Sequence, residues 1–432
     1  MEPTVTNPQK DLRVLIVAEH ASAKFGGEAV LPLHYYRVLR KRNIPVWLVV
    51  HERTKQELLT LYPNDQDRIR FVPDTKLHRF LWNVGTKLPD RISNFTVGFL
   101  MRVASQIIQR RLIKQLIKEV GINVVHQPMP VSPKEPSLLF NLGVPVVIGP
   151  MNGGMDYPPA FRRLQNKFET AAMALGRSFS STLNTFLPGK KNAAVLLVAN
   201  ERTRLALPAC LKDVKTQILV ENGVDLSLWK DAAVKPETKP DQVVRFVYMG
   251  RLVDWKAVDI LITAFAIASK SANIALSIIG DGDQRAALEQ QARGLGVWAE
   301  GTEAGKIFFV GWKAQAECAQ YLQSSDGLVL TSLMECGGAV VLEAMAMGLP
   351  VVATNWGGPA DYIDARCGVL VQPTGREAFT RDVADALVQL ASNAELRKTM
   401  GRAGRSRIEK EFDWEIKVDQ MVQIYTREVQ AA

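Results

Sequence analysis

Cysteine is scarce in this chain. Its four thiols, Cys210, Cys318, Cys336 and Cys367, are scattered over 432 residues and none belongs to a CxxC pair, which argues against a disulfide frame and against a cysteine zinc site. Long apolar runs are missing too, since no stretch approaches the roughly 18 apolar residues a membrane-crossing helix needs. Residues 1–8 are polar and contain two prolines, and the apolar run 14–18 is too short for a signal-peptide core, so export by that route is not expected. A reduced, cytoplasmic protein is the expectation.

What is present is an ordinary globular composition, 47% hydrophobic and 22% charged. At 432 residues the chain has room for two large domains or three small ones. The net charge of +9 is uneven: residues 1–200 carry +13 and residues 201–432 carry −4. Nucleic acid, anionic lipid or a phosphorylated acceptor would each suit the basic half, because charge alone specifies no chemistry.

Short Val/Ile/Leu runs alternate with segments of helical period. They fall at 14–18, 46–50, 124–125, 144–148 and 195–198, and again at 246–249, 275–279, 307–310, 327–330, 351–353 and 369–371. Continuous apolar strands with helical crossovers predict parallel sheets covered on both faces, and two series predict an α/β chain of two doubly wound, Rossmann-like domains. The seam is placed near Asn222-Gly223-Val224-Asp225, a turn signal followed by the charged, proline-containing segment 230–242. The expected division is 1–222, 223–411 and a final amphipathic stretch, 412–432.

The segment from Glu335 to Pro350 is the most informative. Gly337 and Gly338 permit close backbone approach, and a helix opening near Ala339 would offer unsatisfied N–H groups and a positive dipole end to a phosphate. Glu343, one turn into that helix, can accept two hydrogen bonds from a ribose diol, and Glu335 can take hydroxyls of a second sugar. Equally, the glycines can simply end a loop and Glu343 can be a solvated first-turn glutamate. Arg251 and Lys256 follow the strand 246–249, where parallel sheets place ligands. A guanidinium fork and an ammonium there would stabilise charge growing on a departing nucleoside diphosphate, although a single Arg or Lys is more often a plain surface cation.

At this point the chain resembles, over nearly its whole length, the retaining glycosyltransferases of family 4, which have the GT-B fold. The resemblance is carried by an ordered set: Phe25-Gly26-Gly27, Asn222-Gly223-Val224-Asp225, Gly250-Arg251-Leu252 with Lys256, Ile278-Ile279-Gly280-Asp281-Gly282, Phe309-Val310-Gly311-Trp312, Glu335 and Glu343 with seven residues between, and Phe412-Asp413-Trp414. It implies a deep interdomain cleft in which Arg251 and Lys256 bind the donor diphosphate. Glu343 would hold the nucleotide ribose, and Glu335 with the backbone of Gly337, Gly338 and Ala339 would hold the transferred sugar. Gly27 would approach the phosphates from the N-terminal domain, and Gly311 and Trp312 would lie near the base. His126 matches a histidine on the acceptor side, beside the structural role a lone histidine more often takes. No covalent nucleophile is named, since retention in this family is commonly explained by front-face attack. The final segment around Trp414 and Tyr425 would cross back onto the N-terminal domain as a hinge.

Gly337 departs from the family, many members of which carry an aromatic residue there. A second glycine-rich turn, 149–157, would line the acceptor side with Asn152 and Gly153 as polar contacts, or be an ordinary surface turn. Asp281-Gly282-Asp283 resembles a metal-binding DxD but sits in a strand-to-loop element the family has anyway, so no metal and no tightly bound cofactor are expected. The implied activity moves a hexose-type sugar from a nucleoside-diphosphate sugar to a glycan or lipid-linked acceptor, in polysaccharide or glycolipid synthesis. Arg110, Arg111, Lys114 and Lys118 share one helical face opposite Leu112, Ile113, Leu116, Ile117 and Val120. That pattern suits either a helix packed on a sheet or one lying on the anionic inner face of a membrane. A nucleotide-sugar epimerase or a sugar phosphorylase on the same fold is the alternative. A dinucleotide oxidoreductase is disfavoured, because Phe25-Gly26-Gly27-Glu28 is not GxGxxG. A nucleic-acid module is disfavoured by the lack of an aromatic-basic motif.

Overall fold

The computed structural model describes residues 11–24, 27–87, 96–164, 180–229 and 242–432. Phe25, Gly26 and all but the last residue of the segment 230–242 lie outside the described residues. The chain forms two compact units. One comprises Met1–Gly154, Ala171–Glu221 and Lys417–Ala432, and the other Met155–Thr170 and Asn222–Ile416. Relative to the expected division, residues 155–164 group with the second unit, and the last helix, Trp414–Gln430, passes from one unit to the other at its first turn.

The first unit is a seven-stranded parallel sheet in the order β3-β2-β1-β4-β5-β6-β7. Its strands are β1 (Val14–Val17), β2 (Val46–His51), β3 (Ile69–Val72), β4 (Val124–Gln127), β5 (Val146–Met151), β6 (Val195–Val198) and β7 (Thr216–Ile218). Five of these, β1, β2, β4, β5 and β6, are buried at every position, as a sheet covered on both faces requires. Each fully buried Val or Leu contributes roughly 1.5–3 kcal/mol. The long helix Val97–Val120 turns Ile113 and Leu116 into this core and leaves Arg111, Lys114 and Lys118 exposed, while Arg110 lies over the Phe140 ring at 4.0 Å. None of the described helices is long and apolar enough to cross a membrane.

The second unit repeats the plan with the order β10-β11-β9-β8-β12-β13-β14. Its strands are β8 (Val244–Met249), β9 (Ile274–Ile279), β10 (Trp298–Ala299), β11 (Ile307–Gly311), β12 (Gly327–Leu330), β13 (Val351–Thr354) and β14 (Gly368–Val371). In both sheets the strand order reverses once, between β1 and β4 and between β8 and β12. The expectation from the apolar runs omits β3, β7 and β10. All three are sheet edges, where one side of the backbone is unpaired and a continuous apolar run is not needed.

The turn around Asn222 is well tied. Val224 exchanges backbone hydrogen bonds with the segment ahead of the last helix, donating to the Phe412 carbonyl at 2.8 Å and accepting from the Trp414 N–H at 3.1 Å. Phe412 and Trp414 are both buried.

Candidate functional site

In the second unit, β8 and β12 are neighbours at the reversal of strand order, so the loops that leave their carboxyl ends emerge side by side. That is where open α/β sheets bind ligands. Backbone hydrogen bonds stitch the two loops together. Leu333 N–H and Met334 N–H donate to the Trp255 carbonyl at 2.8 and 3.4 Å, and Thr331 Oγ1 donates to the carbonyls of Lys256 and Ala257 at 3.2 and 3.0 Å.

The stitching brings Lys256 Nζ into an ion pair with the Glu335 carboxylate, to which Ser332 Oγ also donates at 3.5 Å. Both partners are only 15% exposed, so the pair is shielded more than a typical surface bridge. Arg251 stands in the same loop as Lys256. Its guanidinium is exposed, and among the described residues no acceptor engages it.

Glycines keep this end of the sheet free of side chains. Gly250 N–H donates to the Ile279 carbonyl at 3.0 Å and Gly280 N–H to the Gly311 carbonyl at 2.9 Å, so glycines stand next to one another at the ends of β8, β9 and β11. A Cβ on Gly280 would lie 1.9 Å from the Gly250 carbonyl oxygen. Beyond Gly311 the Trp312 ring is 73% exposed, an unusual position for an indole without a partner surface.

The loop of Glu335 leads into the helix Ala339–Ala346 through Gly338, whose left-handed backbone (φ 87°, ψ 56°) suits glycine. The loop is held from behind by the turn after β13. Gly358 N–H donates to the Glu335 carbonyl at 2.8 Å, and a Cβ on Gly358 would lie 1.9 Å from the Gly337 carbonyl oxygen. The helix therefore starts from a fixed loop, with the Val341 N–H already donating to the Gly338 carbonyl at 2.9 Å and its positive dipole end beside the Glu335 loop. One turn in, Glu343 sits 3.5 Å from Gln315 Nε2, and burial pushes its carboxyl up to about 7. At neutral pH this carboxyl is poised between an acceptor and a donor.

The expected residues of the first unit are placed differently. His126, on β4, has no exposed surface. Its Nε2–H donates to the Gly149 carbonyl at 2.7 Å, which leaves Nδ1 to accept from the Tyr425 hydroxyl at 2.7 Å. Loss of hydration holds its pKa down at about 4, so the ring is neutral. The structure thus gives His126 the role of a core pillar, without an atom facing a sugar. Asn152 is likewise buried, donating from Nδ2 to Glu221 at 2.5 Å and accepting from Thr203 Oγ1 at 3.4 Å, while Gly153 N–H donates to Thr203 Oγ1 at 3.1 Å. Gly27 opens the helix Gly27–Lys41 and is exposed.

Within the second unit, then, the structure brings together Lys256, Glu335, Gly337, Gly338 and Ala339, with Arg251 on the Lys256 loop and Glu343 on the same helix as Ala339. Asp281 is engaged locally. It accepts from its own loop at Gly282 N–H (2.8 Å) and bridges to Arg285 at 3.4 Å. Gln315 and the Gly357-Gly358 turn are absent from the sequence reading. Gly-Gly-Pro, separated from the end of β13 by two residues, was the available signal, the same kind of glycine pair as Gly337-Gly338.

Residues 230–407 match the family described as Glycosyl transferases group 1. The glycogen synthase of Mycobacterium tuberculosis is 32% identical over 212 residues, covering 48% of this chain and 47% of that protein. The lipopolysaccharide core biosynthesis glycosyltransferase LpsE of Rhizobium meliloti is 32% identical over 177 residues, covering 41% of this chain and 48% of its own length. The chain thus spans about half the length of the curated relatives it matches. Among solved structures, the sucrose-phosphate synthase of Thermosynechococcus elongatus aligns with a TM-score of 0.65 at 19% identity, covering 98% of this chain and all of that one. HepE of Anabaena in complex with UDP aligns with a TM-score of 0.63 at 16% identity, covering 96% of this chain and all of that one. Residues 230–407 are therefore similar to the glycosyl transferases group 1 family, in a chain whose two parallel-sheet units have the GT-B fold.

Proposed function

We propose that the protein is a retaining glycosyltransferase of family 4 that moves a hexose-type sugar from a nucleoside-diphosphate sugar to a glycan or lipid-linked acceptor. The observation that carries this reading is the Lys256–Glu335 pair, held by two stitched loops at the strand-order reversal of the second unit. In this reading Arg251 and Lys256 meet the diphosphate, and Glu335 releases Lys256 to bind hydroxyls of the transferred sugar. The backbone of Gly337, Gly338 and Ala339 approaches the same group, and Glu343 takes the ribose diol. Gly311 and Trp312 flank the base, and Gly27 completes the phosphate contacts.

The chemistry asked of these groups is electrostatic. Charge grows on the leaving phosphate as the glycosidic bond to the donor breaks, and two fixed cations stabilise it without a metal at that position. The acceptor hydroxyl gives its proton to the leaving phosphate, so no protein base is required. Residues 1–222 carry the acceptor. Asn152 and Gly153 would reach it only after release from the Glu221 and Thr203 contacts, and His126 would act through the fold. A cytoplasmic enzyme working at the inner face of a membrane fits the exposed Arg111, Lys114 and Lys118. That HepE was solved with UDP supports a nucleoside-diphosphate ligand here.

A thermal-shift panel of uridine, guanosine and adenosine diphosphates and their sugars tests the donor, with one base class expected to stabilise strongly. Product analysis tests the transfer. A donor converted only to its epimer, or a reaction that consumes inorganic phosphate, would refute it.

A further inference from the structure

A second cluster of chemically capable side chains lies in the first unit. His51 ends β2, Asp74 follows β3, and His78 is in the first turn of the helix Lys76–Gly85. One ligand atom from each lies within 4.8 Å of those of the other two. Both histidines are buried, and their rings meet edge to face at 5.3 Å.

Two of the three are short of partners. His51 Nε2 is fully buried and has no hydrogen-bond partner among the described residues, a costly state for a polar ring atom. The half-buried Asp74 carboxylate accepts no hydrogen bond among the described residues, although its own backbone N–H donates to Glu52 Oε1 at 2.6 Å and fixes the loop. His78 is already oriented from both sides. Thr75 Oγ1 lies 2.8 Å from Nδ1 and Ser105 Oγ 3.1 Å from Nε2, so whichever nitrogen turns to a ligand, the other keeps an orienting neighbour.

We infer that His51, Asp74 and His78 form a binding site for a divalent transition metal, zinc by donor type, which pins the ends of β2 and β3 to the helix Lys76–Gly85. Two imidazoles and one carboxylate are a zinc ligand set, with a fourth position left to Ser105 or water, and they are poor ligands for magnesium or calcium. Loading asks the three donor atoms to close from spacings of up to 4.8 Å and His78 to give up a contact at the nitrogen that turns to the ion, either that of Nδ1 with Thr75 or that of Nε2 with Ser105. The His51 proton moves from Nε2 to Nδ1, forfeiting a long 3.3 Å contact from the Arg53 N–H, and Nε2 gains the ion in place of no partner. The site uses none of the residues assigned to the donor. Its role is to hold structure, and it stands or falls independently of the proposed transfer.

The test uses the full chain purified without chelator, equilibrated with zinc and dialysed into metal-free buffer. About one zinc per chain is expected by elemental analysis, with a melting temperature that falls by at least about 2–4 °C on chelation and is restored by zinc but not by magnesium. Asp74→Asn and His51→Ala should each lose the zinc, while Arg251→Ala keeps it. Wild-type protein that binds well below one zinc per chain and melts identically with and without chelator would overturn the inference. So would variants that retain the full zinc content, since the ion would then be held elsewhere.

Discussion

The Tyr425 hydroxyl donates to His126 Nδ1 at 2.7 Å, joining the last helix to β4 across 299 residues. Tyr425→Phe removes that donor and leaves a buried nitrogen unsatisfied, at a cost of about 1–3 kcal/mol. Thermal unfolding should show a loss of about 2–4 °C per kcal/mol, with donor affinity by calorimetry unchanged. A variant that melts like the parent would contradict the role of core pillar.

His126 also sets a pH dependence. Its pKa in the folded protein, about 4, lies below the ordinary value of 6.5, so the folded state binds fewer protons than the unfolded state between those values. Its contribution is therefore fully present above pH 6.5 and is lost as the pH falls towards 4. Replacing His126 with a residue that does not titrate should make the fall in melting temperature over that window less steep, while His51, held down to about 4 as well, keeps part of it.

Glu343 works in the opposite direction. Its carboxyl is raised from 4.5 to about 7, so the free protein loses stability from this group as pH rises through that range. A ribose diol favours the ionised carboxylate, so affinity for a nucleotide-sugar should rise roughly tenfold from pH 6 to pH 8. Glu343→Gln should bind more weakly and show no such rise in calorimetric titrations.

Removing either cation tests the leaving-group assignment. Arg251→Ala and Lys256→Ala should each lower kcat by about 100- to 1000-fold if the two stabilise charge on the leaving phosphate. Of the two, Lys256→Ala should also lower the melting temperature, because it strands the shielded Glu335 carboxylate. Turnover within twofold of the parent in both variants would refute the assignment.

Gly358→Ala separates loop geometry from side-chain chemistry. Its Cβ would press on the Gly337 carbonyl at 1.9 Å and displace the loop that carries Glu335. Donor affinity should fall at least tenfold, of the order of 1.4 kcal/mol. Gly294→Ala, where a Cβ meets nothing within 4 Å, should bind as the parent does.

The strands of both sheet interiors were legible because burial on two faces favours runs of Val, Ile and Leu, as at Val195–Val198. Edge strands escape that constraint. Ile69–Val72 includes Arg70 and Thr216–Ile218 includes Gln217, so no apolar run marks them. The second-unit residues were legible through glycine punctuation after strands. Their pairing was not, since the contact of Lys256 with Glu335 depends on Thr331 and Leu333 reaching back to the Lys256 loop, which no local pattern encodes. The partner of His126 was hidden for a related reason: a strand-end histidine looks alike in sequence whether it faces solvent or a tyrosine 299 residues away.

The distribution of the chain between its units has a consequence for biosynthesis. The first unit needs Lys417–Ala432, which bring Tyr425 to His126 and Glu428 to Lys215 at 2.7 Å, and these are translated after the whole of Asn222–Ile416. Asn222–Ile416 can complete its sheet before Lys417–Ala432 leave the exit tunnel, but the sheet of the first unit, although made earlier, must wait for that segment. Loss of Lys417–Ala432 would therefore damage a sheet whose strands lie 199 or more residues ahead of it in the chain.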